Sequence, residues 1–67
     1  MKNYQHWSTE ALESKRANLF SDIEQWESLL TKTRSFLIQL SLTNYIKRAQ
    51  EHIRAIDAEL CYREHNN

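Results

Sequence analysis

Apolar residues recur along the first two-thirds of the chain at alternating steps of three and four. Leu12, Leu19, Trp26 and Leu40 fall on one row, and Ile23, Leu30 and Leu37 on the next. That spacing keeps one face of an α-helix turned toward a neighbour. Arg16 and Thr33 interrupt the rows, while Phe20, Leu29 and Phe36 widen them into a broad stripe. The pattern predicts a first helix beginning at Thr9. Ser8 suits the N-cap, and Glu10 in the first turn complements the helix dipole. Trp7 and Leu12 are spaced for a hydrophobic staple across that start. Residues 1–7, polar and aromatic, read as a loose arm.

A second seam follows: Leu42, Ile46, Ala49, Ile53, Ile56 and Leu60. It is offset from the first by two residues. One straight helix cannot hold both seams against the same neighbour, so the offset predicts a turn. Ser41, Thr43 and Asn44 are residues that end or cap helices. The expected layout is a helix over 9–40, a turn over 41–44, a helix over 45–63 and a frayed end. Glu59 and Arg63 form an i,i+4 pair near that end. The polar run Thr31, Lys32, Thr33, Arg34, Ser35 is the rival turn and would give two equal helices. It would also put Gln39 on the second seam and drop Phe36, Leu37 and Leu40 from it. The expected fold is therefore all-α: one antiparallel helical hairpin over 1–67, with a long first helix and a shorter second.

Unequal arms leave apolar surface uncovered. At ~1.5 Å per residue the first helix would outrun the second by roughly 20 Å. Trp7, Leu12, Leu19 and Phe20 would lie on that overhang, and Phe36 and Ile38 sit in a run too broad for one partner helix to cover. Large apolar stripes mark association sites. These six residues are the candidate protein-binding surface. The expectation is a homo-oligomer, most simply a two-fold dimer forming a four-helix bundle or coiled-coil-like assembly. Trp26, on the seam, reads as core rather than as a partner anchor.

Composition supports the helical reading. The 67 residues contain no Gly and no Pro, so the strongest helix breakers are missing. With 27% charged and 40% apolar residues, the chain is too hydrophobic to read as disordered. A chain this short buries only about 60% of its unfolded surface, which gives a second reason to expect a partner. One cysteine, Cys61, excludes an intrachain disulfide. Neither a signal-like leader nor a long apolar run is evident, so a cytoplasmic protein without a membrane partner is expected.

Charge changes the picture at one place. Net charge is zero, but the signs are segregated. Residues 10–27 carry five acids against Lys15 and Arg16. Residues 32–54 carry Lys32, Arg34, Lys47, Arg48 and Arg54 against Glu51. Those five cations can meet phosphates, with Tyr45 or His52 stacking on a base. A nucleic-acid-binding bundle is therefore the alternative function. A balanced charge is poor for counterion-driven binding, which favours a solvated basic face instead.

Reactive side chains are few. Asp57, Cys61 and His65 stand at i, i+4 and i+8, and each type can ligate zinc. The plainer reading packs Cys61 as a small apolar residue and leaves Asp57 and His65 in water. Cys61 and His65 are also the one nucleophile–base pairing in reach on a helix, without an evident pocket. Nothing resembles a phosphate loop or a carboxylate pair in an apolar cleft. No enzyme activity, metal or cofactor is expected. The chain reads as a small interaction module, of the adaptor, co-chaperone or inhibitor kind, or as a structural subunit of a larger assembly.

Overall fold

A computed structural model describes residues 4–65 and shows two helices packed side by side. Helix α1 spans Thr9–Lys32 and helix α2 spans Phe36–His65. No strand occurs among the described residues. The hairpin is elongated, with principal extents of 49 × 20 × 16 Å.

Helix α1 begins where the sequence places it. Ser8 is extended, and its Oγ accepts from the Ala11 N–H at 3.1 Å. The helix then ends eight residues before the expected position. Thr33 leaves the helical region at φ −80°, ψ 144°, and its N–H still donates to the Leu29 carbonyl at 2.9 Å. Three residues, 33–35, make the connection.

The turn expected over 41–44 is therefore replaced by the rival polar run. Ser41, Leu42, Thr43 and Asn44 all lie inside α2. Side-chain chemistry explains the choice. Thr33 Oγ1 accepts from the Ser35 N–H at 3.3 Å, and Ser35 Oγ accepts from the Ile38 N–H at 3.5 Å. Ser35 thus acts at the start of α2 as Ser8 does at the start of α1. Gln39, the polar residue on the seam, donates from Nε2 to the Thr33 carbonyl at 3.2 Å. It sits half-buried at the hairpin end, where it satisfies a carbonyl just past the end of α1. Thr43 is accommodated inside the helix, its hydroxyl donating to the Gln39 carbonyl one turn back at 2.8 Å.

The order of lengths reverses with the turn. Helix α1 has 24 residues and α2 has 30. No long first helix overhangs a short second one. Leu12 and Leu19, expected on that overhang, are core: Leu12 is fully buried and Leu19 nearly so. They pack with Ile23, Ala49, Ile53 and Ile56, flanked by half-buried Trp26, Ile46, Ala55 and Leu60. The second seam is thus used in full, with Leu42 buried nearer the turn.

The surplus length of α2 is met by the segment before α1. The expected loose arm is docked from Tyr4 onward; residues 1–3 lie outside the described residues. Tyr4 is buried, and its phenol oxygen lies 2.8 Å from His52 Nδ1. Trp7 packs edge-on against Tyr4 with ring centroids 5.1 Å apart. Arg63 ties this segment to α2. Its Nε donates to Glu59 at 2.8 Å, and its guanidinium also donates to Thr9 Oγ1 and to the carbonyls of Tyr4, Gln5 and Trp7. The helix continues two residues past Arg63, through Glu64 and His65. The remainder of the expected frayed end, residues 66 and 67, lies outside the described residues.

Candidate functional site

The two ends of the hairpin differ in kind. The end carrying the chain termini is closed by Tyr4, His52, Arg63 and Glu59. The turn end carries exposed apolar side chains: Leu29, Phe36, Leu37, Ile38, Leu40 and Tyr45. Phe36 and Leu37 are the most open, at 69% and 75% exposure.

The physical cause is the early turn. Beginning α2 at Phe36 adds more than two helical turns ahead of Tyr45 without adding a matching apolar face on α1. Inward positions in this stretch are Gln39, Leu42 and Ile46. At ~100° per residue, Leu37 and Leu40 lie roughly 150° to either side of the inward direction, so they face away from α1. Ile38 and Tyr45 are seven residues apart and share one flank of α2.

That flank meets the matching flank of α1. The Trp26 and Tyr45 rings touch, with centroids 5.7 Å apart and planes tilted by 42°. Leu29, three residues beyond Trp26, stands on the same side by helical periodicity. Lengthwise it falls between Ile38 and Tyr45. Leu29, Ile38 and Tyr45 are each about half exposed, at 52%, 51% and 50%. With half-buried Trp26 they form an apolar patch on one side of both helices, joined by the Trp26–Tyr45 ring contact.

The six expected protein-binding residues fall into three groups. Leu12 and Leu19 are buried and offer no surface. Phe36 and Ile38 are exposed at the turn end, on different faces of α2. Phe20, at 53%, and Trp7, at 39%, are exposed elsewhere on the hairpin. Leu29 and Tyr45 were missed as surface because the turn was expected at 41–44; Leu37 and Leu40 were expected in the over-broad apolar run but kept on the seam. The rival turn carried the signal, since it alone drops Leu37 and Leu40 from the seam.

The five basic candidates, Lys32, Arg34, Lys47, Arg48 and Arg54, are all exposed. The ion pairs among the described residues are Arg16–Asp57 at 2.7 Å and Arg63–Glu59 at 2.8 Å, and none of the five takes part. Lys32 ends α1 and Arg34 lies in the turn, whereas Arg54 lies 18 residues beyond the start of α2, about 27 Å along the helix. The five do not converge on one spot.

Asp57, Cys61 and His65 do not assemble a site. Asp57 is engaged by Arg16. An open groove beside this pair is lined by Thr9, Glu13, Arg16, Asp57, Leu60, Cys61, Arg63 and Glu64. Among the described residues no three His, Cys, Asp or Glu side chains gather at metal-binding distances. Arg16, which interrupts the first seam, reaches sideways to Asp57 and leaves the core apolar.

Burial raises the Tyr4 phenol above its ordinary range. Its role is structural, since the ring fills the end of the core. No helix among the described residues is long and apolar enough to cross a membrane. Comparison of the chain with protein-family models, with curated proteins and with solved structures gives no match.

Proposed function

We propose that this hairpin is a non-catalytic protein-interaction module, of the adaptor, co-chaperone or inhibitor kind, which binds through the apolar patch at its turn end. The observation that carries this reading is the run of Trp26, Leu29, Ile38 and Tyr45 along one side of both helices. Three of its members are half exposed while comparable residues lower in the hairpin are buried. A partner helix laid across the patch removes those side chains from water. At roughly 25 cal/mol per Å² of apolar area, a patch of this kind supplies several kcal/mol of binding.

Wild-type protein immobilised in extract from its native host should retain a specific protein. A Leu29→Asp, Ile38→Asp double variant should lose it while keeping the same helicity. Sedimentation of both proteins runs alongside. If the wild type is a dimer and the double variant a monomer, the patch is filled by a second copy, as the four-helix-bundle expectation holds. Retention unchanged by the double variant removes the patch as the binding surface.

A further inference from the structure

We propose that the outer face of the first part of α2 docks on an anionic lipid bilayer, with Phe36, Leu37 and Leu40 in the interface and basic side chains on the headgroups. This contact goes beyond the protein-binding patch and uses different residues. Three observations point to it.

The first is placement. Leu37 and Leu40 face directly away from α1, and Phe36 stands beside them, exposed by 69%. Taken together they are the convex back of one helix, not the wall of a groove. A rigid partner helix meets such a ridge along a line. A fluid interface closes around it and covers all three side chains together. Amphipathic segments lie in this way with the apolar face ~5–10 Å into the headgroup region. Lack of a spanning helix bears on crossing a bilayer, not on lying at its surface.

The second is charge. From residue 28 to residue 50 the chain has Lys32, Arg34, Lys47 and Arg48 and no Asp or Glu. All four cations are exposed. Helical periodicity puts Lys47 and Arg48 on the same outer side of α2 as Leu37 and Leu40, about 15 Å further along. Arg34 stands in the turn at the other end of the apolar triad. Cations thus flank the triad along the helix, and their long stems let the charge reach headgroup phosphates while the carbons stay near the acyl region. The acids of residues 10–27 and 57–64 lie away from the apolar triad, and Glu51 follows Lys47 and Arg48 one turn further along α2. Charge along the rod therefore orients the turn end toward an anionic surface.

The third is the state of the turn's polar groups. Thr31 Oγ1 donates to the Ser28 carbonyl at 2.8 Å, and Thr43 Oγ1 to the Gln39 carbonyl at 2.8 Å. Thr33 and Ser35 accept from the Ser35 and Ile38 N–H groups, and Gln39 donates to the Thr33 carbonyl. The Thr31 and Thr43 hydroxyls and the Gln39 amide are thus turned onto the backbone of this end. Such internal satisfaction lowers the cost of moving the end out of bulk water.

Flotation of the full chain with vesicles tests the proposal. One set is phosphatidylcholine alone; the other is equal parts phosphatidylcholine and phosphatidylserine. Wild type should float with the anionic set and stay behind with the neutral one. Leu37→Asp with Leu40→Asp should abolish flotation. Lys47→Gln with Arg48→Gln should weaken it by about tenfold or more, since each cation near an anionic surface contributes roughly fivefold. A Leu29→Gln, Ile38→Gln variant, which disrupts the patch without adding charge, should float like wild type, which separates this face from the protein-binding patch. Circular dichroism of every variant confirms that the helices remain. Three results overturn the proposal: no flotation of wild type with anionic vesicles, equal flotation with both sets, or full flotation of the Leu37, Leu40 variant. Wild type that stays behind with both sets yet binds a protein through Leu37 and Leu40 makes this ridge a protein contact instead.

Discussion

Arg63 does more than the i,i+4 partnership with Glu59 that its spacing announces. One guanidinium holds a carboxylate, a hydroxyl and three carbonyls of the segment before α1. Its planar fork of donors suits this, where a lysine would supply a single point. Arg63→Gln should cost about 1.5–3 kcal/mol in urea unfolding, the range for hydrogen bonds to a charged group. Amide protection of residues 4–9 should fall with it. Tyr4 belongs to the same clasp and gives it a pH dependence. A phenol raised by burial is neutral in the folded state after the unfolded chain has begun to ionise. Its contribution is thus fully present below pH about 10 and is lost as pH rises through the elevated folded value. Alkaline titration of stability should show an extra loss in wild type that is absent from Tyr4→Phe. Ile56, fully buried against Leu12, tests the core itself: Ile56→Ala should cost about 2–5 kcal/mol, much of the stability of so small a domain.

At the scale of the elements, the decisive competition was between two polar runs. Either Thr31–Ser35 or Ser41–Asn44 was able to host the turn by residue type. Apolar periodicity favoured the later run, because it kept Phe36, Leu37 and Leu40 on a buried seam. Local hydrogen bonding favoured the earlier one, where Thr33, Ser35 and Gln39 cap both helix ends at once. The earlier turn also matches the helices more closely in length, so that Leu12 and Leu19 face Ala49, Ile53 and Ile56. Burying the lower core outweighed burying the residues nearest the turn. Asn44→Pro discriminates the two layouts. Inside α2 it removes a backbone hydrogen bond and should cost about 3 kcal/mol or more; in a turn it would be tolerated. Ser35→Ala should cost about 0.5–2 kcal/mol as the loss of an N-cap.

As a whole molecule the hairpin is a rod with unlike ends. One end is stitched shut by Tyr4, His52, Glu59 and Arg63; the other is apolar, basic and open. Substitution at the open end should therefore separate stability from association. Leu37→Gln should change unfolding free energy by no more than about 0.5 kcal/mol, the usual range for an exposed site, while changing solubility or binding visibly. A loss of several kcal/mol in the isolated chain would show instead that Leu37 is buried in solution, by a second copy or by a different turn.

Legible in the residues alone were the all-helical class, the start of α1 at Thr9 behind its Ser8 cap, and the use of the second seam from Leu42 to Leu60. These rest on short-range physics, namely period, capping and the absence of Gly and Pro. The Glu59–Arg63 pair is of the same kind. Where the chain reverses was settled by packing across the hairpin, because by residue type two runs were able to turn and the choice depended on which residues meet. With that choice, Leu12 and Leu19 moved from expected surface to core, and Leu29, Leu37, Leu40 and Tyr45 became surface. The clasp by Arg63 was likewise beyond the sequence, since its partners are more than fifty residues away. The candidate surfaces follow from the hairpin's register, and a period read along one helix does not contain the register of its neighbour.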